Sequence, residues 1–446
     1  MQQGAWSVER PQSAKTVGSR RPLLHAACSK LLFLAACLLA LALRLGYVLS
    51  LEERSYDPDE EMYLAIARNA VEGQGLIYSP WRKASVPPLY PLFLSLFLKC
   101  GTFSFRSVRL AQAVLGAVSC GLLGFSARLA LAERSGRVRG GTGEIAALLL
   151  AVEPMSIYYA GRLMTETLFI FLMLLAVYLI LRASAGGYAG RRLELAGGIL
   201  GLGILCRPTL VPFVAACLLC PILHGPGFAR RAFRLILPCL LVLLPWGTRN
   251  FLVLKEFVPL TSQGGNNLYL ANNPRSTGGT VRLKDLIDAG AFHLGETEDE
   301  LAHSREYGRK AEEFIRRHPA RFIVLSLRRL AWFYHLDGHN PNLLLVVSFW
   351  GALLLGAAGA VLSRSWAGKP SLFLGAIISF TIVHVVFLPE GRYRLPVMPF
   401  ILAFGAYALS KIARAPGEAK FGSLSFCVGK KNSRHVIRLR SSFRQS

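Results

Sequence analysis

A stretch of acids follows the first long apolar segment of the chain, within residues 56–63. Its carboxylates belong to Asp57, Asp59, Glu60 and Glu61. Part of the stretch has a structural explanation, because Asp57 can cap a helix, Pro58 suits the first helical position and Glu60 stands where a capping box has an acid. The sequence therefore predicts a helix that begins at Pro58, with Glu60 also close enough to touch a substrate.

Asp59 is the acid that capping does not explain. At 100° per residue it falls on the same helix face as Tyr63 and Ile66, whereas Glu61 and Arg68 share the opposite face. A carboxylate held against apolar surface is costly unless it is paired, hydrogen-bonded or used in chemistry. We therefore predict that Asp59 points to the buried side, where it could take a proton from an incoming hydroxyl.

The composition indicates a polytopic membrane protein. The 446 residues are 53% hydrophobic and 17% charged, the mean hydropathy is +0.41, and the apolar runs are too long for a soluble core. The net charge of +25 comes from short basic clusters between these runs and in both tails, which favours membrane topology and anionic lipid over nucleic acid as the explanation. The nine cysteines are scattered, so we predict neither a disulfide framework nor a zinc site.

The apolar runs predict about ten membrane spans. They cover residues 31–51, 108–132, 145–159, 163–181, 193–206, 209–223, 235–254, 343–362, 372–388 and 395–412. A cytoplasmic N-terminus puts the cytoplasmic side at the basic clusters of residues 134–139, 191–192, 230–234 and 364–369 and at the tail from Lys411, as the positive-inside rule requires. The domains predicted in this way are cytoplasmic basic tails at 1–30 and 414–446 and a transmembrane domain at 31–413.

Two large connections, 51–106 and 255–342, then lie outside the cytoplasm. The first loop is expected to contain the helix Pro58–Val71 and a short apolar segment, 88–99, at the membrane interface. The second loop is expected to contain a charged helix at about 296–317. A loop of this size between membrane helices is usually functional.

Several polar residues fall at the same predicted outer face. They are Asp59, Glu60, Glu153, Arg162, Glu166, Arg207, Arg249, Glu390, Arg392, Tyr393 and Arg394. Each alone has a structural explanation, but acids and arginines gathered at helix ends around an apolar bundle suit an amphiphilic substrate that carries phosphate. His335, Asp337 and His339 fit no zinc signature, so we predict a solvated loop there and no metal site.

These residues belong to motifs that resemble membrane glycosyltransferases with the GT-C fold. The resemblance is narrower to the group that contains protein O-mannosyltransferases and the bacterial aminoarabinose transferase of lipid A, and it runs from about residue 30 to 413. The motifs are Asp59-Glu60-x-x-Tyr63, Pro87-Pro88-Leu89-Tyr90-Pro91, Thr165-Glu166, Cys206-Arg207-Pro208, Pro245-Trp246-x-x-Arg249-Asn250, Gly264-Gly265-Asn266-Asn267-Leu268 and Glu390-x-Arg392-Tyr393-Arg394-Leu395-Pro396.

The resemblance implies an all-α GT-C-like bundle whose two large outer loops carry interfacial helices. It implies an inverting transfer of a sugar from a polyprenyl-phosphate carrier to a hydroxyl of a lipid, glycan or protein. Asp59 would match the catalytic acid, Glu60 would lie beside it, and Glu166 would match a second acidic position. Further candidates for substrate binding are Arg392, Tyr393, Arg394, Lys83, Arg162, Arg249, Tyr63 and Asn266.

One departure from the relatives concerns the sugar. Aminoarabinose-transferring relatives have a Glu-Lys pair before the proline of the second motif, where this chain has Val86-Pro87, although Lys83 lies nearby. The departure argues against aminoarabinose and leaves the sugar open. No cofactor is implied with certainty, and the acids leave a divalent cation open.

The expected location is the bacterial inner membrane, with both termini in the cytoplasm and the active site outside it. Membrane lipids are the other expected partners. The first alternative is a lipid or solute transporter without transferase activity, which predicts ionisable residues near the membrane midplane and broken helices in matching halves. The predicted spans contain few charged residues near their centres, which argues against the transporter. A non-catalytic scaffold protein is the second alternative.

Overall fold

The structure, a computed structural model, describes residues 20–131, 141–279, 283–288, 290–293, 299–334, 343–363 and 368–413, with side chains at all of these except 20–27, 283–285 and 343–346. His335, Asp337 and His339 lie outside the described residues, as do most of the two predicted tails.

The described chain is helical and contains no strand, which confirms the predicted all-α class. Its helices are α1 Arg20–Leu49, α2 Pro58–Val71, α3 Leu89–Lys99, α4 Phe105–Ala130, α5 Thr142–Ala151, α6 Pro154–Ala160, α7 Thr165–Ala185, α8 Arg192–Cys206, α9 Val211–Leu219, α10 Phe228–Leu254, α11 Gly264–Ala271, α12 Leu283–Asp288, α13 Glu300–Arg317, α14 Pro319–Tyr334, α15 Leu343–Leu362, α16 Ser371–Val386 and α17 Met398–Ile412. Short 3-10 helices cover Pro208–Leu210, Pro221–Leu223 and Gly391–Val397.

Five segments of the described chain are long and apolar enough to cross a membrane. They are Cys28–Leu49, Phe105–Ala130, Thr165–Ala185, Phe228–Leu254 and Gly391–Ile412. Shorter apolar helices coincide with other predicted spans, so the total of about ten stays a prediction.

The centre of the bundle is α7, whose side chains Phe169, Met173, Val177 and Ile180 are fully buried. Beside it, α8 and α10 approach closely where α8 has glycines. A Cβ on Gly197 would lie only 2.1 Å from the Leu235 carbonyl oxygen. Small residues spaced in this way allow membrane helices to pack backbone against backbone.

The predicted span 145–159 is two helices, which corrects the sequence interpretation. Helix α5 ends at Ala151 and α6 begins at Pro154. Proline has no N–H to continue the α5 hydrogen bonds, and its ring disfavours a helix before it. The Glu153 carboxylate caps the new helix by accepting hydrogen bonds from the N–H groups of Met155 (3.2 Å) and Ser156 (2.6 Å).

The loop helices lie close to their predicted positions. Helix α2 has the predicted bounds, and the Asp57 carboxylate caps it by accepting a hydrogen bond from the Asp59 N–H at 2.9 Å. Helix α3 confirms a short apolar helix at the predicted segment 88–99. In the second loop, α13 matches the predicted charged helix from Glu300 onward.

Candidate active site

The two acids in the first turn of α2 have different environments. The side chain of Asp59 is 37% exposed, whereas Glu60 is only 1% exposed. The prediction that Asp59 points to the buried side is therefore wrong, because the neighbouring residue Glu60 takes that position. The buried face of α2 is centred on Glu60, Leu64 and Ala67, spaced at i, i+4 and i+7, because the helix docks on that side. Asp59 lies at the border of this face.

From this border Asp59 reaches the 3-10 helix Gly391–Val397. Its Oδ2 lies 2.8 Å from Arg392 Nη2. The same guanidinium contacts Glu390, with Arg392 Nε 2.6 Å from Glu390 Oε2, and its Nη1 lies 3.5 Å from the Met164 sulfur. Arg392 thus joins the first loop to the segment before the last helix and pairs with two carboxylates.

A second ion pair lies beside the first. Glu166, in the first turn of α7, is 1% exposed, and its Oε1 lies 3.2 Å from Arg207 Nη1. The Arg207 Cζ is 5.2 Å from the centre of the Tyr393 ring, and the Arg392 Cζ is 5.4 Å from the same ring. Because Tyr393 contacts both guanidinium groups, the two ion pairs form one group. We call Asp59, Glu166, Arg207, Glu390 and Arg392 the arginine–carboxylate cluster.

Helix ends position this cluster. Arg207 has extended backbone (φ −147°, ψ 118°) because Pro208 follows it, which ends α8 and turns the arginine toward α7. Glu166 lies at the N-terminus of α7, where the helix dipole favours a negative charge. Arg207 and Glu390 were predicted at this face but were not named as site residues. The motifs that contain them were the sequence signal for a role in the site.

Tyr63 lies among the cluster charges. Burial raises the pKa of its hydroxyl, and the charges of Arg207 and Arg392 oppose that rise while Glu166 and Asp59 add to it. The hydroxyl therefore stays protonated at neutral pH and can donate a hydrogen bond. Its ring packs edge-on against Tyr90, with centroids 5.1 Å apart.

Glu60 has a separate, buried environment. Its Oε2 accepts a hydrogen bond from the Tyr56 N–H at 3.1 Å, so its partner is the residue before Asp57 and not the cap that a capping box requires. Its Oε1 has no hydrogen-bond partner among the described residues and lies 4.0 Å from Arg162 Nη1. Burial raises the pKa of Glu60, and the Tyr56 N–H and the Arg162 charge only partly oppose this rise.

Arg249 and Lys83, both predicted to bind substrate, take part in contacts that join the first loop to α10 and to the second loop. Arg249 Nη1 donates to the Lys83 carbonyl at 2.8 Å, and its Nη2 donates to the Leu76 carbonyl at 3.1 Å. The N–H groups of Lys83 and Ala84 both donate to Glu300 Oε1 at 3.0 Å. Glu300 has no sequence signal for this role, because an acid at the start of a helix is also typical of a simple cap.

The remaining predicted residues lie elsewhere in the fold. Arg162 is stacked between Tyr56 and Tyr158, with its Cζ 4.4 Å and 4.5 Å from their ring centres. Arg394 is 6% exposed and its Cζ lies 4.6 Å from the ring centre of Phe349. Asn266 is buried in α11, and its amide donates to the Gln263 side chain at 2.9 Å. Within the described residues no group of three or more histidine, cysteine or acidic side chains is arranged to hold a metal ion.

Comparisons with known proteins agree with this architecture. Residues 85–246 match the family model described as dolichyl-phosphate-mannose-protein mannosyltransferase. The archaeal oligosaccharyltransferase AglB from Archaeoglobus fulgidus, in complex with an inhibitory peptide and a dolichol-phosphate, superposes with a TM-score of 0.56 at 16% identity, over 93% of this chain and 53% of AglB. The apo form of the Archaeoglobus fulgidus oligosaccharyltransferase gives 0.55 at 16% identity, over 90% and 53%.

The chain therefore spans about half the length of these oligosaccharyltransferases. ArnT from Cupriavidus metallidurans, bound to undecaprenyl phosphate, gives a TM-score of 0.41 at 14% identity, over 91% of this chain and 80% of ArnT. None of the curated proteins matches the sequence. The superposition on AglB shows that the chain has the GT-C fold of these membrane proteins, and the match to the mannosyltransferase family model is confined to residues 85–246.

Proposed function

We propose that the chain is an inverting glycosyltransferase that moves a sugar from a polyprenyl-phosphate carrier to a hydroxyl of a lipid, glycan or protein acceptor at the extracytoplasmic face of the membrane. The observation that carries this proposal is the arrangement around Arg392. Its guanidinium joins Asp59 and Glu390, 2.8 Å and 2.6 Å away, beside the Glu166–Arg207 pair. A proton acceptor and a phosphate-binding cation thus lie next to each other.

Asp59 serves the acceptor side of the reaction. Its side chain is 37% exposed, so an acceptor hydroxyl can reach it. The hydroxyl oxygen attacks the anomeric carbon, its proton passes to the Asp59 carboxylate, and the bond from the anomeric carbon to the phosphate oxygen breaks. Polyprenyl phosphate leaves with the electron pair, and a single displacement inverts the anomeric centre.

Arg392 and Arg207 serve the donor side. A guanidinium binds phosphate through parallel charge-assisted hydrogen bonds and stabilises the charge that develops on the leaving group. Because Arg392 is already paired with two carboxylates, a phosphate must replace one of them as its partner. Donor binding then frees Asp59 for the acceptor.

Two comparisons support a lipid-linked donor. The matching family model is named for dolichyl-phosphate-mannose, and the AglB structure contains a dolichol-phosphate. The acceptor is not carried over from AglB, since the chain spans about half of that protein. The cluster has three carboxylates and two guanidinium groups, so its charge balance does not decide for or against a divalent cation.

Mass spectrometry of envelope glycolipids and glycoproteins, with and without the chain, tests this proposal. We expect one class of glycosylated product to disappear in cells that lack the chain. Expression of the parent chain restores that product, and expression of the Asp59→Asn variant at the same level does not. Unchanged glycolipid and glycoprotein profiles would contradict the proposal.

A further inference from the structure

Helix α1 carries a buried arginine inside the segment Cys28–Leu49, which is apolar enough to span a membrane. Arg44 is 1% exposed, and its guanidinium hydrogen bonds go to carbonyl oxygens. Nη1 donates to Ala40 and to Ala151, and Nη2 donates to Leu150, each at 3.1 Å. Arg44 is an exception to the prediction that the spans are largely free of central charge, and a charge of this kind is costly unless the fold uses it.

The carbonyls of Leu150 and Ala151 need these donors because α5 ends there. In a continuous helix they would accept from the N–H groups of residues 154 and 155. Pro154 has no N–H, and the Met155 N–H donates to Glu153 instead. An unsatisfied carbonyl within a bilayer is expensive, so the Arg44 guanidinium replaces the donors that the helix break removes.

The neighbouring helix α4 makes room for this side chain. A Cβ on Gly116 would lie 2.6 Å from Arg44 Nε, a distance that a real Cβ does not tolerate. Arg44 Nε itself has no hydrogen-bond partner among the described residues, and neither has Ser156 Oγ, although both atoms are buried. A buried polar atom without a partner costs free energy.

Both residues line the same small cavity. Its volume is about 20 Å³, and the hydroxyl-bearing residues Ser119 and Thr167 also line it. One water molecule needs roughly 10–15 Å³ and two to four polar partners. The size and lining of the cavity therefore fit one water. Leu395, from the 3-10 helix that carries Arg392, forms part of its wall.

We propose that this cavity binds one water molecule, which bridges Arg44 Nε and Ser156 Oγ, and that Arg44 is a positioning residue for the active site. By capping α5, Arg44 maintains the break at Pro154. The break sets the direction of α6, and α6 leads within a few residues to Glu166 at the start of α7. Arg44 thus acts on the arginine–carboxylate cluster through the direction of α6 and the position of the α7 N-terminus.

A double-mutant cycle between Arg44 and Pro154 tests the positioning role. Arg44→Met is expected to lower the Tm by several degrees and transfer by at least roughly tenfold, which equals about 1.4 kcal/mol. Pro154→Ala restores an N–H for the Leu150 carbonyl. The double variant should therefore regain most of the Tm. Transfer should stay low, because α5 and α6 then continue as one straight helix. Arg44→Lys, which can still donate to the carbonyls, should recover part of the transfer.

Two outcomes would overturn the role. Strictly additive losses of Tm would mean that Arg44 does not serve the break, and recovery of transfer together with Tm would mean that its role is only structural. The transfer readout rests on the proposed function, but the Tm coupling does not. Absence of transfer in the parent with an intact Tm coupling would therefore count against the proposed reaction and not against the Arg44–Pro154 link.

Ser156 variants test the water site. An experimental map that resolves other buried waters should contain a peak between Arg44 and Ser156 in the parent and none in Ser156→Val, whose methyl groups fill the cavity. In Ser156→Ala the peak should remain, because Arg44 Nε and the hydroxyl-bearing residues Ser119 and Thr167 still line the cavity. Ser156→Val should also have the lower Tm of the two variants, since Arg44 Nε loses its last partner. An empty cavity in the parent, or a Ser156→Val variant as stable as Ser156→Ala, would refute the water site.

Discussion

Two adjacent acids of α2 are suited to different tasks. Asp59 is partly exposed and paired with Arg392 at 2.8 Å, so it is accessible to a substrate. Glu60 is buried, with one oxygen that has no hydrogen-bond partner among the described residues. A reactive carboxylate needs access, and a buried one is better suited to holding the loop in place. We therefore propose that Asp59 takes part in the chemistry and that Glu60 holds the loop in place.

The burial of Glu60 predicts a pH-dependent stability. Burial raises its pKa, so the folded state holds the proton more tightly than the unfolded state. The folded state loses stability as the pH rises from the ordinary carboxyl range through the raised pKa. Glu60→Gln does not titrate, and we expect its Tm advantage over the parent to be absent in acid and to reach a few degrees at pH 8.

Thermal unfolding in detergent across this pH range measures the difference. Glu61→Gln, at the exposed neighbouring position, is the matched control. A Glu60→Gln variant that becomes less stable than the parent as the pH rises would show that the Glu60 charge is favourable in the fold.

Arg392 is paired with Glu390, and this pairing predicts that substitutions of the two residues change donor binding in opposite directions. Arg392→Ala should weaken binding of a polyprenyl-phosphate sugar by roughly tenfold or more, because a charge-assisted pair is lost. Glu390→Gln should strengthen the same binding, because a competing carboxylate is removed. Equilibrium binding to the purified protein measures both, with Arg305→Ala in α13 as a control on an exposed arginine. Equal donor affinities in Arg392→Ala and the parent would remove Arg392 from the donor site.

At the scale of elements, the site is made from helix ends that local sequence determines. Asp57 and Pro58 begin α2, Glu153 and Pro154 break a span, and Pro208 ends α8 beside Arg207. Such signals act over a few residues, which is why α2 was predicted with its observed bounds. The direction in which a helix is buried depends on its partners, and for that reason Asp59 was placed one position too deep.

Contacts between distant segments had no sequence signal. Glu300 binds the N–H of Lys83 from 217 positions away, and neither residue type nor spacing indicates that pairing. The break in the span 145–159 did have a signal in Glu153 and Pro154. The apolar run around these residues concealed it, because hydropathy averages over longer windows than one helical turn.

The Glu300 contact predicts that one acid holds the two loops together. Glu300→Ala leaves the N–H groups of Lys83 and Ala84 and the Ser262 hydroxyl without their acceptor. We expect a loss of about 1–3 kcal/mol in the free energy of unfolding and faster proteolysis of the first loop.

Thermal unfolding and limited proteolysis measure these effects. Glu313→Ala, which removes an exposed ion pair from the same helix, is the control and should change neither. Wild-type proteolysis rates in Glu300→Ala would show that the loops are joined by other contacts.

At the scale of the whole molecule, the fold explains why the predicted topology and the cluster belong together. The first loop, the start of α7, the end of α8 and the segment before α17 all contribute to the cluster. These elements are far apart in sequence, so a search for one short, contiguous sequence motif would not connect them. The GT-C fold gathers them at one end of a bundle, and the positive-inside rule predicts that this end faces away from the cytoplasm.

Native cysteines offer a direct test of that orientation. Cys100 is exposed at the end of α3, in the first loop, and Cys427 lies in the basic tail, outside the described residues. In a chain that keeps only Cys100, a membrane-impermeant maleimide should label intact spheroplasts. A chain that keeps only Cys427 should react only after permeabilisation. The reverse pattern would overturn the predicted topology.

The central claim is that Asp59 accepts the acceptor proton during sugar transfer. It is tested most directly by the transfer rate of purified Asp59→Asn with a polyprenyl-phosphate sugar, with Glu61→Gln on the same helix as the control. The account predicts a rate reduced by roughly 10²–10⁴-fold in Asp59→Asn, with an unchanged Tm and a near-parental rate in Glu61→Gln. A near-parental rate in well-folded Asp59→Asn would contradict it.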